Sequence, residues 1–347
     1  MRLIDLLEAL TDRFRGLTVF EQRLQFILEI HIAILDLYYQ KWKANVAKFE
    51  ISHPYALAGE LREEGKKNAG VAGLERLCRV YGSSAWIEDH LKNWTDEVFL
   101  EVYADIIEFK AGSAELASKL SPSIATRSDD GTVFDVVIHR FHNLREKSLA
   151  LIQSHLKKEI FEELRQYTNL LHWSSLGYKD GEEFNYSTAT NSPELLKAFP
   201  LVASLFSFLH KTLPPPIFLR VYKHFASDLQ AYFWEWIVTA HRFTTPGGIL
   251  FARDMYALWD ALAKFVSRPE MYMRRLHDAV VLLSLPSTSG QVGELNGEIT
   301  LGTIARRLRD TDDTDVVKAM ELKDWLAEHL EVKTLGLAEV LYMYNSL

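Results

Sequence analysis

Long apolar stripes limit the folds that are open to this chain. Within each stripe, large hydrophobic residues recur at spacings of three and four. One stripe runs from Val133 to Leu171 without an interrupting glycine or proline. Side chains at this spacing share one face of an α-helix, whereas a half-buried strand alternates with a period of two. Glycine and proline number only 17 and 10 in 347 residues, which leaves many such long stretches intact. The sequence therefore predicts an all-α fold.

The pattern predicts about a dozen helices and no sheet. The apolar faces are wide and rich in aromatic side chains, with 19 Phe, 14 Tyr and 8 Trp. Wide faces favour stacked helical bundles over a two-stranded coiled coil, whose apolar seam is narrow and repeats every 3.5 residues. Three helix starts are predicted from capping patterns: Thr18 with Glu21, Ser192 before Pro193, and Ser267 with Glu270.

Polar segments divide the chain into two predicted bundles. Residues 1–173 are expected to form the first bundle, residues 174–191 a linker loop, and residues 192–347 the second, C-terminal bundle. The linker contains the polar run from Gly177 to Glu183. A small, charged stretch from Ala111 to Gly131, which contains a proline, predicts a further mobile loop inside the first bundle.

Charge and composition exclude several classes of protein. The formal net charge is −8, from 39 Lys and Arg against 47 Asp and Glu, which argues against a nucleic-acid-binding protein. No stretch reaches the roughly 18 apolar residues that a transmembrane helix requires, and the first residues lack a signal-peptide pattern. Cys78 is the single cysteine, so an intrachain disulfide is impossible and a reducing compartment is favoured.

A search for catalytic and metal-binding patterns finds weak matches only. Glu50 and His53 have the Glu-x-x-His spacing of a di-iron bundle, but Pro54 follows at once and no second pair occurs. His139, His142 and His155 lie on one predicted helix among basic residues, which favours a solvated face over a zinc site.

Two further motifs also favour a structural interpretation. Gly59 to Gly65, followed by Lys66 and Lys67, resembles a phosphate-binding loop, but the spacing is too long and the following Ser or Thr is missing. Cys78 lies on the apolar stripe of Leu74 and Leu77, which predicts a buried thiol. The sequence thus predicts no enzyme, no cofactor and no catalytic or metal-ligating residue. The basic side chains Lys147, Lys157, Lys158 and Arg165 alternate with glutamates and predict a mixed, solvated face.

Two aromatic clusters could line a ligand cage or a groove. In the run Tyr232 to Trp236, consecutive helical residues point about 100° apart and cannot form one wall. We predict Phe233, Trp236 and Ile237 in the core and Trp234 at a seam between helices. Residues 271–273, Met-Tyr-Met, are predicted to lie in the core or to line a groove.

Several blocks of sequence, in order and over most of the chain, resemble the RINT/Tip family of vesicle-tethering subunits. They are helix-packing segments without catalytic meaning, and their number and order carry the resemblance. The blocks are Leu6 to Phe14, Leu17 to Phe20, Gln22 to Phe26, Gly73 to Cys78, Trp86 to Glu88, Trp94 to Phe99, Leu205 to Leu209, Leu213 to Pro216, Phe233-Trp234, His241 to Phe243, Arg253-Asp254, Leu258-Trp259 and Arg268 to Glu270. The tail after Pro286 matches less clearly.

The resemblance implies the fold and the role of that family. The expected fold is an elongated stack of helical bundles of the CATCHR type, and the chain would correspond to the C-terminal half of a longer protein with an N-terminal coiled coil. The expected function is that of a non-enzymatic subunit of the Dsl/NRZ tether in Golgi-to-ER retrograde transport. The resemblance further implies a cytoplasmic protein, peripheral at the endoplasmic reticulum membrane, whose partners are ER SNAREs and other Dsl/NRZ subunits.

Two alternatives remain open at the level of sequence. One is another CATCHR subunit, such as an exocyst component. The other is an all-helical enzyme that binds an isoprenoid or a similar ligand, for which the cluster Asp312, Asp313 and Asp315 would be a candidate, although these residues follow a loop and favour the start of a helix. The partner-binding residues are not identified by sequence. We expect them in the aromatic and Met-rich second half.

Overall fold

The structure is a computed structural model that describes residues 3–51, 68–94, 97–112, 133–169, 172–174, 190–285, 300–309, 316–336 and 338–340. These residues form helices joined by turns and short connections, and no strand occurs among them. The all-α class predicted from the apolar spacing is confirmed. The predicted loop at Ala111–Gly131 begins within a helix, since residues 111 and 112 end the helix Glu97–Gly112, and the rest of it and most of the predicted linker lie outside the described residues.

The chain divides into two compact units, Met1–Ile152 and Gln153–Leu347. The first unit contains α-helices and one short π-helical segment, which lies between the second and third of them. They are α1 (Leu3–Phe14), α2 (Phe20–Phe26), the π-helical segment Ile27–Ile32, α3 (Ala33–Ile51), α4 (Gly70–Asn93), α5 (Glu97–Gly112) and the first half of α6 (Asp135–Thr168).

The second unit begins within α6 and, over the residues that the structure describes, continues with six further α-helices. They are α7 (Pro193–Thr212), α8 (Pro215–Phe233), α9 (Thr245–Ala263), α10 (Arg274–Leu283), α11 (Leu301–Arg309) and α12 (Val316–His329). A second π-helical segment, Trp234–Val238, directly continues α8. Short 3-10 turns lie at His172–Ser174 and Pro269–Tyr272.

The division between the units falls inside α6, earlier than the predicted linker. The second half of α6 packs with the second unit, because Phe161 stacks on Tyr232 at 4.3 Å between ring centroids and Tyr167 donates a hydrogen bond to Asp254. A long polar run predicted the linker, whereas the side-chain contacts of α6 determine which unit each half joins. The domain limits 1–173 and 192–347 stay predictions.

The core of the first unit is an apolar cluster to which α1, α2, α3, α4, α5 and α6 all contribute. Its buried members include Leu7, Phe14, Leu35, Leu91 and Phe141. Burial of such side chains contributes roughly 1.5–3 kcal/mol each, so this cluster stabilises the unit strongly. It also fixes α1, α3 and α4, which form the surface described below.

A buried histidine fastens α1 to this core. His31, in the π-helical segment, is fully buried, and its Nε2 lies 3.1 Å from Thr11 Oγ1 on α1. Because the Thr11 hydroxyl donates to the Leu7 carbonyl at 2.8 Å, its oxygen is left to accept a hydrogen bond from the Nε2–H group of a neutral imidazole. Burial lowers the pKa of His31 to about 4, so the ring is uncharged at neutral pH.

A buried carboxylate fastens α4 to α6. Glu88 is only 1% exposed, and it contacts Lys92 Nζ at 2.6 Å, His142 Nδ1 at 3.1 Å and Arg145 Nη1 at 2.7 Å. Burial alone would raise the pKa of Glu88, but hydrogen bonds from Lys92 and His142 and the charge of Arg145 lower it below its usual value. The carboxylate is therefore ionised, and its contacts with His142 and Arg145 keep the Glu88 face of α4 packed against α6.

In the second unit, a buried aspartate joins three segments. Asp254 on α9 is fully buried and accepts hydrogen bonds from Tyr167 Oη at 3.1 Å, Ser192 N at 2.9 Å and Ser192 Oγ at 2.5 Å. As predicted, Ser192 precedes a helix whose first residue is Pro193. The Ser192 side chain bonds to Asp254, however, and does not cap that helix.

Two adjacent glycines let α9 approach its neighbours closely. A Cβ on Gly247 would lie 2.1 Å from the carbonyl oxygen of Trp173, and one on Gly248 would lie 2.0 Å from that of Leu283. Real Cβ atoms do not approach carbonyl oxygens so closely, so only glycine fits at these two positions. The start of α9 is thereby packed against the turn at residue 173 and the end of α10.

Two predicted capping boxes are wrong. The helix after Thr18 begins at Phe20 with Val19 at its N-cap and without a side-chain cap, because Arg23 Nε instead holds the entering chain through the Leu17 carbonyl at 2.6 Å. At Ser267, Arg268 adopts a left-handed backbone with φ of 53°, so a 3-10 turn follows and the next helix begins only at Arg274.

No helix in the described ranges combines the length and the apolar character needed to cross a membrane.

Candidate partner-binding surface

An open apolar groove of about 750 Å³ lies in the first unit, and it is called the apolar groove below. Three helices line it: α1 through Leu3 and Leu6, α3 through Tyr38, and α4 through four residues. The four residues of α4 are Gly82, Ser83, Trp86 and Ile87. Its position follows from the core, because the Thr11–His31 bond holds α1 and the Glu88 cluster holds α4.

Trp86 and Gly82 give the groove its character. The Trp86 side chain is 49% exposed and stacks on His90 one turn later, with 5.7 Å between ring centroids. Gly82 lies one turn before Trp86 in the interior of α4, and a Cβ there would meet nothing within 4 Å. Glycine inside a helix costs roughly 1 kcal/mol relative to alanine, and no contact within the described residues requires it. A floor without a side chain lets another backbone approach closely.

A second cavity of about 230 Å³, called the cationic pocket below, lies between the end of α3 and the start of α4. Its floor is apolar and its rim carries amide and basic groups. The lining residues are Trp42, Asn45, Val46, Lys48, Phe49, Asn68, Arg76, Leu77, Arg79 and Val80. None of these described lining residues is an aspartate or a glutamate.

Two arginines on the rim already hold polar partners. Arg76 Nη1 donates to Asn68 Oδ1 at 2.6 Å, and this acceptor is neutral. Arg79 Nη2 donates to Glu75 Oε1 at 2.8 Å, and both of these side chains are largely exposed. Exposed ion pairs of this kind contribute little to stability, so a partner's carboxylate can replace Glu75 at small cost.

The residues singled out by sequence as possible ligands are not brought together. His142 binds Glu88, His139 is exposed, and His155 is buried 4.0 Å from Glu159. Over the ranges given above, no group of three or more His, Cys, Asp or Glu side chains is arranged to hold a metal ion. Glu50 pairs with Lys147 at 2.9 Å, which accords with the predicted mixed face.

Other candidates are buried or lie outside the described residues. Cys78 is buried as predicted, and burial raises the pKa of its thiol to about 12, so it stays protonated. His53, the glycine-rich segment Gly59–Lys67 and the cluster Asp312, Asp313 and Asp315 all lie outside the described residues.

The aromatic run at the end of α8 differs from the prediction. Phe233 and Ile237 are buried as predicted, but Trp236, which was predicted in the core, is 56% exposed. Trp234 lies at a seam between helices as predicted, because it is buried and the guanidinium of Arg275 on α10 lies 3.8 Å from the centroid of its ring. The reason for the exposure of Trp236 is the π-helical segment Trp234–Val238, whose wider turn rotates the side chains away from their α-helical positions. Of the Met-Tyr-Met run, Met273 is buried and Met271 is exposed.

The groove was missed at the level of sequence, although two signals were present. A glycine inside a 24-residue helix and a tryptophan one turn later both lie in α4. Periodicity alone assigns Trp86 to a helix but does not show which faces of that helix its neighbours cover.

The described residues thus form an all-α protein built of helical bundles, with an apolar groove on the surface of its first unit. The sequence matches the RINT-1/TIP-1 family over residues 1–343, and the chain belongs to that family. The resemblance found in the sequence blocks is confirmed. No curated protein sequence matches the chain significantly.

A solved structure shares the fold. It is the Dsl1 complex subunit Tip20, in a crystal structure with the SNARE Sec20 bound, and it aligns with a TM-score of 0.64 at 16% sequence identity. The alignment covers 99% of this chain and 51% of the Tip20 chain, so this chain spans about half the length of the protein it matches. The likeness at this identity concerns the fold.

Proposed function

We propose that this protein is a non-enzymatic subunit of a vesicle tether that acts in Golgi-to-ER retrograde transport. Membership of the RINT-1/TIP-1 family over residues 1–343 is the observation that carries this proposal, and the fold shared with SNARE-bound Tip20 supports it. Its partners would be ER SNAREs and the other subunits of a Dsl/NRZ tether. The chain would be cytoplasmic and peripheral at the endoplasmic reticulum membrane, where those partners hold it.

We assign SNARE docking to the apolar groove. Leu3, Leu6, Tyr38 and Trp86 offer an apolar lining, and Gly82 leaves the floor open. An amphipathic helix lays its apolar face into such a groove through anchors at three-and-four spacing. A partly exposed tryptophan at the centre of a surface is the residue type that most often dominates binding energy.

The test is binding of purified cytosolic domains of the ER SNAREs to the whole chain, by size-exclusion co-migration and then calorimetry. One domain is expected to bind. Trp86→Ala is expected to weaken that binding at least tenfold, and Gly82→Leu, which fills the floor, should weaken it similarly. The matched control is Trp236→Ala, which removes an equally exposed tryptophan from the second unit and should leave the affinity unchanged.

Either of two results would overturn the assignment. Absence of binding to every ER SNARE domain, with the chain folded by circular dichroism, would refute the proposed function. Binding that survives Trp86→Ala but is lost in Trp236→Ala would keep the function and move the site to the second unit.

A further inference from the structure

The apolar groove and the cationic pocket lie on the same face of the same two helices. On α3, Tyr38 lines the groove, and Trp42, Val46 and Phe49 line the pocket. These residues are spaced by four, four and three, which places them on one stripe of the helix. The two cavities are therefore consecutive along α3.

The same relation holds on α4. Ile87 and Ser83 line the groove, and Val80 and Arg76 line the pocket, again at spacings of four, three and four. The rings of Tyr38 and Trp42, one from each cavity, meet edge to face with 5.8 Å between their centroids. The two cavities thus form one track along the seam between α3 and α4, called the α3–α4 seam below.

Charge differs between the two ends of the seam. The groove end is lined by apolar, small and hydroxyl side chains, whereas Lys48, Arg76 and Arg79 surround the pocket end. The two acidic side chains of α3 face α6: Asp36 accepts from Arg140 at 2.6 Å and Glu50 from Lys147 at 2.9 Å.

The floor of the pocket is nevertheless apolar, through Trp42, Val46, Leu77 and Val80. A bare anion would find few donors there, whereas a peptide with a hydrophobic anchor and flanking carboxylates would satisfy both the floor and the rim. Acidic segments recognised by arginine clusters are a recurrent mode of peptide binding.

We propose that the occupant of the α3–α4 seam is an amphipathic helix with one acidic end, and that it docks in a single direction. Its apolar face lies over Trp86 and Gly82, and its carboxylates lie over Lys48, Arg76 and Arg79. This inference rests on the proposed function, because it takes the apolar groove as the partner site. It adds the chemistry of the partner segment and its orientation.

The length of the seam sets the length of the occupant. From Arg76 to Ile87 the track follows α4 for eleven residues, or about 16 Å at 1.5 Å per residue. A helix of roughly three turns therefore spans it. The matching segment in a partner has an acidic cluster at one end of three or four apolar anchors at three-and-four spacing.

Two synthetic peptides test the inference with the whole chain. Both carry the same 11-residue apolar stripe, and one ends in a block of glutamates where the other ends in lysines. Fluorescence anisotropy of the labelled peptides should show at least tenfold tighter binding of the glutamate peptide at low salt. The ratio of the two binding affinities should decrease in 0.5 M NaCl, since salt screens exposed charges.

Charge reversal localises the effect. The triple variant Lys48→Glu, Arg76→Glu and Arg79→Glu should reverse the preference between the peptides, while Trp86→Ala weakens both equally. The matched control reverses Lys157 and Lys158, which lie on α6 in the second unit, and should leave the preference unchanged. Circular dichroism confirms that each variant is folded.

Direction is tested by photo-crosslinking. A photoreactive amino acid at position 45 should capture the acidic end of the glutamate peptide, and one at position 83 should capture its apolar stripe. Crosslinking of both ends from both positions would overturn the single direction. Equal affinity for the two peptides, no binding of either, or no effect of the triple variant would overturn the acidic partner.

The outcomes separate this inference from the proposed function. SNARE binding that is lost in Trp86→Ala but unaffected by the triple variant would refute the inference and keep the function. Discrimination between the peptides without binding of any SNARE domain would keep the inference and refute the function. Self-association of the chain that the triple variant abolishes, measured by sedimentation velocity, would identify a second copy as the occupant and overturn the proposal.

Discussion

At the scale of single residues, two buried ionisable side chains hold the walls of the proposed docking surface. Glu88 keeps its charge because three cationic or polar neighbours surround it, whereas His31 is neutral because burial penalises the charged form of its ring and lowers its pKa. The His31 ring lies among the rings of Phe14, Phe26, Trp94 and Phe99, at 5.5 to 6.1 Å between centroids. Each side chain supports a prediction.

Glu88→Gln should destabilise the protein. The variant leaves Lys92, His142 and Arg145 beside a neutral amide, but these three side chains are partly exposed, so the expected cost is that of lost hydrogen bonds to a charged group, about 1.5–3 kcal/mol. Urea denaturation followed by circular dichroism measures the loss. Glu75→Gln is the control, since the Glu75–Arg79 pair is exposed and should contribute only a few tenths of a kcal/mol. Equal effects of the two substitutions would show that the Glu88 cluster is not stabilising.

His31 should make stability depend on pH. The pKa is about 4 in the folded protein and about 6.5 when unfolded, so between these values the unfolded chain binds the extra proton. Stability is therefore complete above pH 6.5 and is lost as the pH falls toward 4, by about 2 kcal/mol between pH 7 and pH 5. Urea denaturation of the wild type and of His31→Phe at both pH values isolates this contribution. The variant should lack it, and equal pH dependence in the two proteins would contradict the assignment.

At the scale of elements, glycines in two helices have opposite roles. Gly247→Ala in α9 would push a Cβ to 2.1 Å from the Trp173 carbonyl, and overpacking against a rigid backbone typically costs about 1–3 kcal/mol or more. Gly82→Ala in α4 meets open space and should stabilise the protein by roughly 0.5–1 kcal/mol through helix propensity. Thermal unfolding of both variants measures these two changes in stability, which should have opposite signs. A loss of stability in Gly82→Ala would show that this position is packed.

The elements themselves could largely be predicted from sequence. The stripe from Val133 to Leu171 predicted one long helix, and α6 extends from Asp135 to Thr168. Ser192 with Pro193 likewise predicted the start of α7. These predictions succeed because burial of a periodic face dominates helix formation and depends only on local spacing.

The remaining features depend on contacts distant in sequence. Trp236 was assigned to the core because α-helical spacing was assumed, and the π-helical turn violates that assumption. The capping box at Thr18 failed because the Arg23 side chain holds the entering chain. The apolar groove was not predicted at all, since its exposure depends on how α1 and α3 cover α4, and no local pattern encodes that.

At the scale of the whole molecule, α6 is shared by both compact units. Gln153→Pro would remove a backbone donor and break the helix at the division, at a cost of about 3 kcal/mol or more. In calorimetry the two units of the wild type should unfold together in one transition, whereas this variant should show two separated transitions. Gln153→Ala is the matched control and should behave as the wild type. A single shifted transition in the proline variant would show that α6 is not what couples the units.

The two π-helical segments also bear on how this family diverges. Each wide turn is equivalent to one extra residue inserted into an α-helix, at 27–32 and at 234–238. A distant relative with regular helices at these places would be one residue shorter at each. Alignments that forbid gaps inside helices would then shift every later position by one and pair buried residues with exposed ones. Alignments from which the ancestry of this family is traced should therefore allow single-residue gaps at these two turns.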